Sequence, residues 1–122
     1  MLALPASVRV YLASEPVDMR RGHDGLFAIV KSWGLDPFSG SLFGFVGKRR
    51  DRAKILVWHR GGFIVIYKRL EKGRFRIPSV APGKNRAVLD ATELTMLLDG
   101  IDLSRVKRPV LWNPPEREND PT

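Results

Sequence analysis

The chain contains no cysteine. That absence excludes disulfides and thiolate chemistry, removes the strongest zinc ligand, and is compatible with a reducing cytoplasm. Histidine is almost as scarce. Only His23 and His59 occur, each inside a predicted structural element and neither in a motif that would pair it with a nucleophile. No apolar run approaches the ~18 residues that a membrane span needs, and the opening MLALPAS is too short for a secretion signal. The expectation is a cytoplasmic protein without membrane contact. Also missing are a GxxxxGK[ST] phosphate loop, a helix-turn-helix and a zinc finger. A metal-dependent nuclease would need carboxylates converging from rigid elements. Here Asp18 and Asp24 flank a helix start, and Asp90, Glu93 and Asp99 belong to a second helix and its caps, where acids serve bare backbone N–H groups. No catalytic residue, metal or cofactor is expected.

What is present suits one folded domain. Hydrophobic residues make up 43% of 122 residues and charged residues 28%, enough for a single core. The domain is expected over residues 1–108, with a proline-rich tail over 109–122 that is either disordered or docked. Charge is distributed unevenly. From Lys48 to Arg86 there are thirteen Lys or Arg against two acids, Asp51 and Glu71, whereas the remainder holds eight basic against eleven acidic residues. One third of the chain therefore carries all of the net +8. A field so concentrated attracts polyanions, and nucleic acid is the commonest inside cells.

Val8, Val10 and Leu12 alternate with Arg9 and Tyr11, the period of a half-buried strand. Leu26, Ile29, Val30 and Trp33 share one helical face, with Gly34 as the stop. Three strands follow in SLFGFVG (41–47), AKILVWH (53–59) and FIVIYKR (63–69), the last two joined by a tight hairpin at Gly61-Gly62. Both faces of the second and third of these are apolar at their centres, so each face must be covered by helices, a loop layer or a neighbouring chain. Residues 70–87 read as a basic loop with a short edge strand at Phe75–Ile77. The second helix starts at Asp90 with a capping box to Glu93 and a Leu89–Leu94 staple, and it ends at Gly100. The fold class is α+β: an antiparallel meander sheet of four or five strands with two main helices.

Two basic clusters lie within this frame. Lys48, Arg49, Arg50 and Arg52, with Lys54 just beyond, occupy the connection between the first two meander strands, and Lys68, Arg69, Lys72, Arg74 and Arg76 follow the third. In a meander the third strand returns to the tip from which the second began, so the clusters should merge into one patch. Arginine grips phosphate oxygens in pairs, and without a base-reading motif the contact would be dominated by the backbone of DNA or RNA. The rings of Phe75 and Tyr67 could stack on bases, although core packing is the expectation for both.

DMRRGHDGL (18–26), DPFSGSLFGFVGKRRDRAKILVWHRGGFIVIYKRLEKGRF (36–75) and LDGID (98–102) resemble the TnpB accessory proteins, products of the small second open reading frame of insertion sequence 66 elements. These are unrelated to the much larger RNA-guided nuclease of the same name. The likeness runs from about Val8 to Ser104. It implies an accessory factor for transposition, encoded beside a separate transposase that is an expected partner, and it supplies no catalytic residues. The functional expectation is a non-enzymatic accessory factor that binds DNA through the ten basic residues named above. The rival reading is an adaptor that docks on the transposase or self-associates as a homo-oligomer, without direct DNA binding.

Overall fold

The computed structural model describes residues 7–107, so the expectation for the tail, 109–122, lies outside the described residues. The elements in chain order are β1 (Val10–Ala13), α1 (His23–Ser32), β2 (Leu42–Val46), β3 (Arg52–His59), β4 (Gly62–Arg69), β5 (Arg86–Leu89) and α2 (Ala91–Leu98), followed by a single 3-10 turn at Leu103–Arg105. The five strands form one sheet in the order β4-β3-β2-β1-β5. The expected meander is β2-β3-β4, antiparallel throughout. The pairing of β1 with β2 is parallel, a departure from the all-antiparallel expectation. Its cause is α1, which carries the chain across the sheet between the two strands and so restores their direction.

Side-chain alternation divides the core between the two faces. Leu26 and Val30 of α1 pack on Phe43, Phe45, Leu56 and Ala13. Leu94 and Leu97 of α2 pack on the other face with Val10, Leu12, Val46 and Ile55, and the loop residue Phe75 joins them at 0% exposure. Both faces of the sheet are thus covered by the chain's own helices and loop, which explains why β3 is apolar on both sides. α2 begins as the sequence predicts: the Glu93 N–H donates to Asp90 Oδ1 at 2.8 Å and the Asp90 N–H to Glu93 Oε1 at 3.1 Å, a reciprocal cap whose side chain is worth about 1 kcal/mol. Among the described residues no helix is long and apolar enough to cross a membrane.

Three local expectations need correction. The β3–β4 turn is shifted by one residue: its central pair is Arg60 and Gly61, at φ 41° and 87°, and Gly62 already belongs to β4 opposite His59. Two left-handed residues match the twist of the strands, and Gly61 adopts that conformation without steric cost. Phe75–Ile77 is not a strand, because Phe75 turns into the core. The outer strand is instead β5, antiparallel to β1, and Leu89, expected only as a helix staple, is its last residue.

Candidate nucleic-acid interface

One end of the sheet gathers the close of β1, β2 and β4 with the start of β3 and β5, as their parallel and antiparallel pairings require. The β2–β3 connection at this end is a tight turn. The Arg50 N–H donates to the Gly47 carbonyl at 2.9 Å, and the Gly47 N–H to the Arg52 carbonyl at 2.9 Å. Arg50 sits at φ 63°, a left-handed position unusual for arginine. The chain leaving β4 is fastened to this turn twice, by the Leu70 N–H on the Asp51 carbonyl at 2.7 Å and the Phe75 N–H on the Arg50 carbonyl at 2.6 Å. The loop 71–74 is therefore held against 48–51, and the two basic clusters meet as one rim.

The rim brings together Lys48, Arg49, Arg50, Arg52, Arg69, Lys72 and Arg74. Lys48, Arg49, Lys72 and Arg74 are exposed, and none of the four has an ion-pair partner among the described residues. Arg69 is paired with Glu71 at 3.0 Å, and this hydrogen-bonded carboxylate raises the arginine pKa further. Arg52 carries a buried Nε without a hydrogen-bond partner.

Three of the predicted residues lie off the rim. Lys68 faces the α2 side, where its Nζ donates to the Leu98 carbonyl at 2.5 Å and lies 3.9 Å from Asp99. It neutralises the carbonyl end of α2, a structural role. Lys54 faces the α1 side, donates to the Arg21 carbonyl at 2.9 Å and stands 5.6 Å from the centre of the Tyr67 ring. Arg76 is exposed near Asp102, whose carboxyl is held below its ordinary pKa chiefly by hydrogen bonds from Ser104, with smaller contributions from Arg105 and Arg76. Of the two candidate stacking rings, Phe75 is fully buried and Tyr67 is half exposed.

Clefts flank the rim on either side. A cleft of about 620 Å³ is lined by Met19, Arg20, Lys48, Arg49 and Arg52 among others. A larger one, about 1260 Å³, runs between the 74–81 loop and β5 and is lined by Arg50, Arg74, Arg76, Lys84 and Arg86 among others. Arg20, Arg21, Lys84 and Arg86 were not among the predicted residues. Arg20 is already matched: its guanidinium grips Asp18 at 2.7 Å and holds that carboxyl at about 2. Arg86 lies 5.9 Å from the Tyr11 ring centre and 5.8 Å from that of Trp33, so it packs on the α1 side. Lys84 lies in the basic third of the sequence, where charge counting alone could have picked it out. His23 and His59 are both exposed, and the described residues include no group of three or more His, Cys, Asp or Glu able to hold a metal ion.

The sequence profile of IS66 Orf2-like proteins matches residues 8–108. The chain belongs to this family. Membership associates it with transposition of an insertion sequence in an accessory role. The chain is 38% identical over 115 residues to the uncharacterized protein y4jC of Sinorhizobium fredii, covering 93% of this chain and 97% of that protein. It is 34% identical to the uncharacterized protein y4hO of the same organism, covering 100% and 97%. No solved structure gives a significant match. The profile spans both basic clusters and both fastening hydrogen bonds, so the rim belongs to the part of the chain shared with the IS66 Orf2-like family.

Proposed function

We propose that this IS66 Orf2-like protein is a non-catalytic accessory factor that binds DNA phosphates along the basic rim and so raises the local DNA concentration for the element's transposase. The supporting observation is the pair of backbone hydrogen bonds that join 70–75 to 50–51. Through them, two segments separated by a full hairpin present their arginines and lysines side by side. Like charges held this close repel, and a row of phosphates relieves that repulsion. Arg52 lines the same cleft as Lys48 and Arg49, which adds a third cation to that side of the rim. Sheet and loop edges without a groove-filling helix favour contact with the sugar-phosphate backbone over base reading.

Fluorescence anisotropy with a labelled duplex, repeated across salt concentrations, tests this reading. Each neutralised phosphate adds about 0.9 to the magnitude of the slope of log affinity against log salt, so the rim should give a slope steeper than about −3. A flat dependence, or no affinity at low salt, would leave the adaptor reading in its place.

A further inference from the structure

We propose that the free edge of β4 pairs antiparallel with β4 of a second copy, in a register centred on Val65. The two edges of the sheet differ in kind. β5 is four residues long and its outer flank is bounded by the 74–81 loop across a cleft. β4 is eight residues long, and its register with β3 runs unbroken from Arg52↔Arg69 to His59↔Gly62, without a bulge or a proline. Natural edge strands are blunted by shortness, bulges, prolines or charged side chains. Of these β4 has only Lys68 and Arg69, both at one end, which leaves its six remaining residues uncharged. Apolar side chains are exposed beside it on both faces, Ile64 at 37% and Tyr67 at 50%.

The register follows from the backbone. The Leu70 N–H bonds the Asp51 carbonyl, and the two-residue turn closes His59 opposite Gly62. Even-numbered residues of β4 therefore direct their N–H and C=O toward β3, and 63, 65, 67 and 69 direct theirs outward. A two-fold partner must match outward residues to outward residues. Centring on Val65 sets Phe63 of one copy against Tyr67 of the other, and Ile64 against Ile66, so each exposed apolar side chain gains an apolar neighbour on its own face. Lys68 then falls opposite Gly62 and Arg69 opposite Gly61. Moving the centre to Ile66 would instead set Lys68 against Ile64 and Arg69 against Phe63. In the Val65 register the two Lys68 residues are six strand positions apart, about 20 Å, beyond the ~8–10 Å over which salt leaves exposed charges in contact. The dimer carries its two basic rims at opposite ends of one continuous sheet.

Sedimentation velocity at micromolar to millimolar protein tests the pairing without DNA. The wild-type chain is expected at twice its monomer mass. Val65→Pro removes an N–H that bonds nothing within the monomer, at an edge position that tolerates proline, and should sediment as a monomer with an unchanged circular dichroism spectrum. Tyr67→Lys, which leaves the backbone intact, should do the same. Because the chain lacks cysteine, single-cysteine variants report the register: a short bis-maleimide should link Val65→Cys to itself and leave Arg69→Cys unlinked. A wild-type monomer throughout that range, a dimer that survives both substitutions, or linkage at Arg69→Cys in preference to Val65→Cys would overturn the proposal.

Discussion

Replacing Arg49, Lys72 and Arg74 together by glutamate should weaken DNA binding roughly a thousandfold at about 50 mM salt and make the salt slope shallower by about 3, at about 0.9 for each phosphate left unneutralised. All three side chains are exposed and have no ion-pair partner among the described residues, so the fold should register the change by no more than about 0.5 kcal/mol for each site. They come from both segments of the rim, which makes the variant a test of their joint action. Arg9→Glu, an exposed position just before β1 at the other end of the sheet and three strands in from the β4 edge, changes net charge away from the rim and should alter affinity far less. Comparable losses from the two variants would mean that binding follows overall charge rather than the rim.

The second large effect concerns the anchor beneath the rim. Phe75 is fully buried among Val46, Ala53, Leu94 and Leu97, while its neighbours Arg74 and Arg76 remain exposed. Phe75→Ala should cost about 3–5 kcal/mol from lost burial and the cavity left behind, a large share of the ~5–15 kcal/mol that holds a domain together. Urea or guanidinium unfolding followed by tryptophan fluorescence would show the midpoint fall. Where the variant remains folded, the 71–74 loop should loosen from the β2–β3 turn and DNA affinity should drop with it. An unchanged midpoint would contradict the anchoring role.

The same residue shows where sequence reading succeeds and where it stops. Convergence of the two basic clusters was legible, because three strong strand runs and a tight turn fix a meander, and a meander fixes which ends are neighbours. α2 was legible from Asp90 and Glu93, since a capping box is a local signal. Phe75 was recognisable as a core candidate but misplaced on a strand, because alternation in Phe75–Ile77 resembles an edge strand whether or not a partner strand exists. β5 went unseen for the opposite reason: Arg86–Leu89 is four residues long and abuts the α2 cap, too short for period 2 to register. The parallel β1–β2 pair depends on the path of α1 across the sheet, which no single window encodes. Among the site residues, Lys68 and Lys54 looked like members of the patch because their acceptors, the carbonyls of Leu98 and Arg21, lie about thirty residues away. Charge counting identifies a basic region, whereas the acceptors that withdraw individual cations from it are matters of tertiary contact.

Two-dimensional ¹H–¹⁵N spectra of the protein titrated with a short DNA duplex test the central claim most directly. A single phosphate-binding rim predicts that amide resonances of Lys48–Arg52 and of Lys72–Arg76 shift together, along one common binding curve, while Val8–Val10, at the opposite end of the sheet and three strands in from the β4 edge, stay unmoved. Shifts confined to one of the two segments, or centred on the start of β1, would contradict it.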